Sequence, residues 1–389
     1  MKENAVEIVK EIMRDFASFT GLEPESPTPT RYLWTDAFAV CNYLELFSQT
    51  EDKKYLDLAL RLVHQVHHVL GKHRNDDPRS GWISGFDEKQ GEEHPTIGGL
   101  RIGKKLNERK PEDPIDQRLE WDQDGQYYHY LTKWMHALNR VARVTEDPIY
   151  VKWAVELAQA AHEGFTYLPA DRERKIMYWK MSIDLSYPLV PSMGQHDPLD
   201  GFVTYNELQI TAEKFNQLEI PKLEKEISQM RDICRGMNWT TNDPLGIGGL
   251  LFDAGRIAQI IIKANIDYNN LLELILNSAI IGMNSFVKSN PLRVSPDYRL
   301  AFRELGLSIG LEGAKSLQKW HGNNENCFKK NTAVPEIIAA LMNYSSLGDA
   351  IENFWIQSQN RQFGSWAEHR EINMVMLATS LAPNSFLMI

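Results

Sequence analysis

Thr50-Glu51-Asp52-x-x-Tyr55-x-x-x-Ala59-x-x-Leu62-x-x-x-x-His67 returns as Thr145-Glu146-Asp147-x-x-Tyr150-x-x-x-Ala154-x-x-Leu157-x-x-x-x-His162, each position displaced by 95 residues (145 minus 50). Each copy opens on a short polar turn and continues with apolar residues at helical spacing. Each follows another helix-like stretch, 33–49 and 126–144. Two long helices joined by so short a turn lie antiparallel, so the repeat is one helical hairpin used twice.

The rhythm continues outward. The hairpins (33–49, 52–70) and (126–144, 147–165) are followed by (198–215, 221–236), (245–265, 268–288) and (297–319, 333–359). Helices over 4–18 and 365–381 are left to pair with each other. Strand-like alternation is best developed over 176–190. The expectation is an all-α chain, a single (α/α)6 toroid domain over 1–389. Links within hairpins are short; those between hairpins, 71–125 and 166–197, are long, and loops of that length usually carry function. In a ring of hairpins the long links share one rim with the N-termini of the first helices, which offer free N–H groups and partial positive charge.

Composition narrows the function. Among 389 residues, 52 acidic side chains outweigh 42 basic ones, for a net charge of −10, which disfavours non-specific nucleic-acid binding. The three cysteines, Cys41, Cys234 and Cys327, are scattered, so neither a disulfide framework nor a Cys-based zinc site is indicated. The N-terminus lacks a signal-peptide core, and no uninterrupted apolar run approaches the ~18 residues of a membrane span. We expect a cytoplasmic protein without a membrane partner, acting on a small molecule or oligosaccharide and needing no cofactor or metal. The acidic tract around Asp122 could nonetheless hold calcium.

Candidate site residues follow from the rim. Every expected inner N-terminus carries a carboxylate. Asp197-Pro198 and Asp243-Pro244 read as N-caps followed by the favoured first helical residue. Glu120, Asp122 and Asp124 crowd three carboxylates into five residues, more than one cap needs, and they repel unless solvated, protonated or paired with a cation. Asp36 and Glu368 are the other candidate acids. Trp34, Trp121 and Trp366 flank these carboxylates, and Trp82 and Trp239 lie in or near links. An aromatic face beside an acid suits sugars, whose C–H faces stack while their hydroxyls bond the carboxylate; the same rings could simply plug the toroid. His129 and Lys133 share a helix face, and His369 follows Glu368. Arg299 could point a cation inward. Arg101 lies in a link that mixes bases with glycines, which could be a β-hairpin flap or hold an anionic ligand. His64 and His68 stand at metal-binding spacing, but without the intervening acid of a zinc-protease motif they read as helix surface.

Paired helices with Trp and acids at their inner N-termini resemble the six-hairpin glycosidase-like superfamily, which includes hydrolases of unsaturated uronides, α-mannanases and sugar 2-epimerases. The resemblance is architectural. It implies a toroid and a carbohydrate substrate without choosing the reaction. Glycoside hydrolysis would use Asp122 or Asp124 with Asp36 or Glu368 as the carboxyl pair. Epimerisation or isomerisation would use His129 and His369 as bases, with Arg299 or Arg101 holding the carbonyl. A non-catalytic binding or scaffold toroid is the third expectation, and terpenoid cyclisation ranks below all three.

Overall fold

The computed structural model describes residues 2–215, 219–329 and 333–389, with side chains from Ala5 onward. The repeat is built as its chemistry dictates. Glu51 and Glu146 take the left-handed backbone conformation, φ 57° and 56°, and turn the chain. Asp52 and Asp147 then accept hydrogen bonds from Lys54 N (3.1 Å) and Ile149 N (3.0 Å). Such N-caps contribute about 1 kcal/mol each. They start α3 (Lys53–Leu70) and α6 (Pro148–Phe165). The repeated Ala and Leu positions, Ala59, Leu62, Ala154 and Leu157, are fully buried. The repeated histidines are core groups. Trp134 Nε1 donates to His67 Nε2 (3.2 Å), and His162 Nε2 pairs with Gln229 Oε1 (2.7 Å). Burial, with smaller repulsion from His68 and His64, pushes the His67 pKa down to about 3, keeping it a neutral acceptor.

The chain divides into two compact units, and α1 (Lys2–Thr20) and α2 (Leu33–Thr50) each contribute to both. One unit comprises residues 17–47 and 52–236. Besides most of α2 and α3 it holds α4 (Glu88–Glu93), α5 (Tyr128–Thr145), α6, α7 (Asp197–Ala212) and α8 (Glu224–Cys234). Helix α5 packs on α6 and α7, and α7 on α8. The expected strand region forms short pieces. Strands β1 (Gln126–Tyr127), β4 (Lys180–Met181) and β5 (Pro188–Val190) make an antiparallel sheet in the order β1-β4-β5, and β2 (Thr166–Tyr167) pairs with β3 (Ile176–Met177). The small sheet fixes the start of α5, because Tyr127 pairs with Lys180 and Tyr128 N donates to Trp179 O (3.1 Å).

The other unit comprises residues 1–16, 48–51 and 237–389. It holds α9 (Pro244–Ala264), α10 (Asn269–Lys288), α11 (Ala301–Asn323), α12 (Val334–Met342), α13 (Ser345–Ile356), α14 (Gly364–Ala367), α15 (Arg370–Leu381) and α16 (Asn384–Leu387). Helix α9 packs on α10 and α11, and α11 also meets α12, α13 and α15. The α9–α11 crossing is tight because Gly248 lies against the Gly306 carbonyl with no room for a Cβ. The helix expected over 333–359 breaks at Asn343-Tyr344, where Ser345 Oγ bonds the Met342 carbonyl (2.8 Å). The helix expected over 365–381 breaks at Glu368-His369. Helix α9 and the stretch Asn269–Arg293 are long and apolar enough to cross a membrane by composition, but 78% of the α9 window is buried inside the unit.

Candidate active site

The acidic tract resolves first. Glu120 Oε1 lies 2.7 Å from Lys180 Nζ, and Glu120 Oε2 accepts from Arg109 Nε (3.3 Å). Asp124, fully buried, accepts from Arg101 Nη1 (2.6 Å) and from Gly103 N (3.0 Å), and lies 3.5 Å from Arg74 Nη1. The cations that three neighbouring carboxylates require are therefore the chain's own lysine and arginines, and only Asp122 is exposed. This corrects the expectation for Asp124, whose carboxylate is committed to holding the 71–125 link. Arg101 is equally committed, since it also donates to Lys72 O (2.7 Å) and Val69 O (2.6 Å). Asp36 is buried beside Arg31 (3.4 Å) and accepts from Tyr32 N (3.0 Å), so it secures the entry to α2. Trp82 is buried in the 71–125 link, donating to Glu88 (3.2 Å).

A different constellation gathers at the starts of α2, α5 and α7. An aromatic wall begins at exposed Trp121, which meets Trp179 with ring centroids 5.9 Å apart. It continues through Tyr127 (5.1 Å from Trp179) to His129, stacked on Tyr127 at 5.6 Å and 12°. Tyr130 stands across both, and Trp34 closes the far end against Tyr130 (5.2 Å) and His129 (6.0 Å). Tyr32 and Tyr130 share a hydroxyl hydrogen bond of 2.6 Å. His129 keeps about a third of its side chain in solvent (34%) while its ring is walled by these neighbours. That surrounding, reinforced by the Lys133 ammonium, lowers its pKa to about 4, so the imidazole is neutral at neutral pH.

Two acids face this wall. Asp197 Oδ1 lies 3.7 Å from His129 Nδ1. Asp200 Oδ2, one helical turn on, accepts from Lys133 Nζ (2.7 Å) and Thr132 Oγ1 (2.5 Å). Their environments separate them. Burial, with repulsion from Asp200, raises the Asp197 pKa to about 7 against the pull of Lys133. Its Oδ2 is buried with no hydrogen-bond partner among the described residues, as is the Tyr127 hydroxyl. Both atoms lie beside the aromatic face, where buried polar groups are normally paired.

Asp197 corrects a second expectation. It is the first residue of α7 rather than its cap, the cap position belongs to His196, and no side-chain cap bond forms there. Asp243 behaves as expected, accepting from Leu245 N (2.9 Å). The acid pair was hidden because Asp-Pro spells a helix start whether or not the side chain turns back onto it. Tyr32, Tyr127 and Tyr130 carry no signal of this role in the sequence, because tyrosines are common packing residues, whereas Trp179 stands out with Trp82 and Trp239 as a link tryptophan.

The remaining expected residues lie in the second unit. Arg299 forms a bidentate pair with Glu304 (2.8 and 2.6 Å) and lies over the Phe354 ring (3.9 Å), so it is a packing cation and not a ligand-facing one. Trp366 is buried on Trp355 (5.6 Å, 29°), and Trp239 is buried. Glu368 is exposed, and His369 packs edge-on to Phe302 (5.3 Å).

No protein-family profile matches the chain, and no curated protein matches it by sequence. Solved structures do. The GH76A alpha-1,6-mannanase of Salegentibacter sp. HEL1_6 superposes with a TM-score of 0.50 at 10% identity, covering 97% of this chain and 99% of that one. The cellobiose 2-epimerase of Spirochaeta thermophila matches with a TM-score of 0.47 at 11% identity, over 88% of this chain and 98% of that one. A sugar epimerase from a ruminal bacterium matches at 0.48 and 9% identity, over 90% and 87%. The likeness to the mannanase shows the fold, an (α/α)6 toroid, as the hairpin repeat implied.

Proposed function

We propose that the protein is a carbohydrate-active enzyme of the glycoside hydrolase type, with Asp197 as general acid and Asp200 as its ionised partner. The observation that carries this reading is the split between two acids one turn apart. Asp197 is buried with its Oδ2 unpartnered among the described residues, which raises its pKa to about 7, whereas Asp200 accepts hydrogen bonds from Lys133 Nζ and Thr132 Oγ1. Glycosidic cleavage needs that division, a neutral carboxyl to protonate the leaving oxygen and a charged one to take the proton of the water that attacks the sugar carbon, or to attack that carbon itself before water releases it. Exposed Trp121 and partly exposed Trp179 at the edge of the aromatic wall offer the stacking surface, and the Tyr127 hydroxyl and Asp197 Oδ2 are the polar atoms assigned to sugar hydroxyls. The mannanase with the same fold makes α-linked manno-oligosaccharides the first substrates to try.

Epimerisation is the second reading, and one observation favours it, the neutral His129 imidazole 3.7 Å from Asp197. A base with a pKa of about 4 is poorly matched to removing a sugar C–H proton near neutrality, so hydrolysis ranks first. The test is a panel of oligosaccharides and free sugars incubated in D2O. Hydrolysis yields new reducing ends without deuterium on carbon, and epimerisation places deuterium on carbon without cleavage. Asp197→Asn should abolish the observed reaction, and full retention would remove this assignment.

A further inference from the structure

A third acid completes the histidine pair on α3. His64 and His68 stack face to face with ring centroids 3.9 Å apart, and His68 Nε2 meets Glu92 Oε1 at 2.6 Å. Glu92 stands near the end of α4, 24 residues along the chain from His68, and so escapes any motif confined to one helix. A ligand atom from each of the three lies within 4.8 Å of the others.

Three features mark this as a built arrangement. His68 Nδ1 lies 2.8 Å from the His64 carbonyl, an acceptor that can take only an N–H. That bond commits Nδ1–H to the carbonyl and leaves Nε2 turned toward Glu92, as outer hydrogen bonds orient metal-ligating histidines. Gly91, next to Glu92, lies against the Trp82 indole with no space for a Cβ. His94 is tied to Glu156 on α6 (2.8 Å), and Trp153 Nε1 donates to Glu93 O (3.0 Å). The backbone carrying Glu92 is thus pinned on both sides beside α3, while the side chains of His64 and Glu92 remain exposed.

We propose that His64, His68 and Glu92 form a binding site for a divalent first-row transition ion, Zn2+ in the first instance, with the fourth position open to water. Two imidazoles and a carboxylate suit such ions. Donors about 2.0–2.2 Å from a tetrahedral ion stand roughly 3.3–3.5 Å apart. The exposed Glu92 side chain needs to withdraw from His68 by less than ~1 Å to admit the ion. Binding would clasp the 71–125 link onto α3.

The test is titration of the chelator-treated, untagged full-length chain with ZnCl2, followed by calorimetry. The expected result is one ion per chain with a micromolar or tighter Kd. Affinity should fall at least ~30-fold in His64→Ala and ~10-fold or more in Glu92→Gln, on the scale seen for metal-site losses. Both side chains are exposed, so both variants should keep the wild-type circular dichroism. The Trp82 ring lies 5.5 Å from His68, so Ni2+ should quench its emission in the wild type and not in His64→Ala. Failure to bind below millimolar Zn2+, or wild-type binding in both variants, overturns the proposal.

Discussion

Replacing Asp197 by Asn should abolish the proposed activity and stabilise the protein, the stabilisation growing as pH rises. In the unfolded chain this carboxyl titrates near 3.8, and in the folded protein near 7. Well below pH 3.8 both states hold the proton and the group is neutral in its effect, and at pH 4 the effect is still only about 0.6 kcal/mol. Between pH 4 and 7 the unfolded state ionises while the folded state cannot follow, so stability is lost with rising pH. At 1.36 kcal/mol per unit, a shift of roughly three units costs about 4 kcal/mol above pH 7, an upper figure that relaxation would reduce. Asparagine keeps the shape and removes the charge, so that cost disappears. Urea unfolding of both proteins, followed by tryptophan fluorescence from pH 4 to 8, measures the difference. The variant should exceed the wild type by only about 0.6 kcal/mol at pH 4 and by up to ~4 kcal/mol at pH 8. The wild-type rate should fall through an apparent pKa of about 7 as the acid loses its proton. A stability difference that stays flat across this range, or reverses sign at pH 8, would refute the claim that burial holds Asp197 protonated.

Asp124→Ala should act on stability and not on chemistry. It leaves Arg101 buried without its carboxylate, a loss of about 3–5 kcal/mol, and activity per folded molecule should persist in a renatured or low-temperature assay. Asp122→Asn, at an exposed position, should change unfolding free energy by no more than ~0.5 kcal/mol and leave kcat intact. Tyr127→Phe removes a hydroxyl that has no partner among the described residues, so the melting temperature should hold or rise while substrate KM increases about 3- to 10-fold, the worth of one hydrogen bond. Asp147→Ala should cost about 1 kcal/mol in unfolding free energy by uncapping α6, with no change in KM.

The hairpins were legible because their signals are local. A left-handed Glu, a capping Asp and apolar residues at helical spacing act within a few positions of one another, and the same code written at 50 and 145 produced the same turn. Breaks such as Asn343-Tyr344 were not legible, because an apolar pattern that spans a kink looks the same as one that spans a helix. The site was harder to read, and the two Asp-Pro pairs show why. Asp243 and Asp197 stand in the same dipeptide, each at a helix start. One carboxylate turns back to Leu245 N and caps. The other faces His129, Asp200 and the dense end of α5, where its charge is costly and its second oxygen is left unsatisfied. What separates them is the company brought by the start of α5, held by the β1–β4 pairing and more than sixty residues away in sequence, and no dipeptide encodes that. The same logic inverts the acidic tract. Glu120 and Asp124 looked functional because like charges crowded together, yet Lys180, Arg109 and Arg101 arrive from elsewhere in the chain and turn the crowding into a buried brace. An acid is therefore a strong candidate for chemistry when the folded structure withholds partners from it, and a weak one when the structure supplies them. On that criterion Asp197 stands ahead of every carboxylate that local patterning favoured.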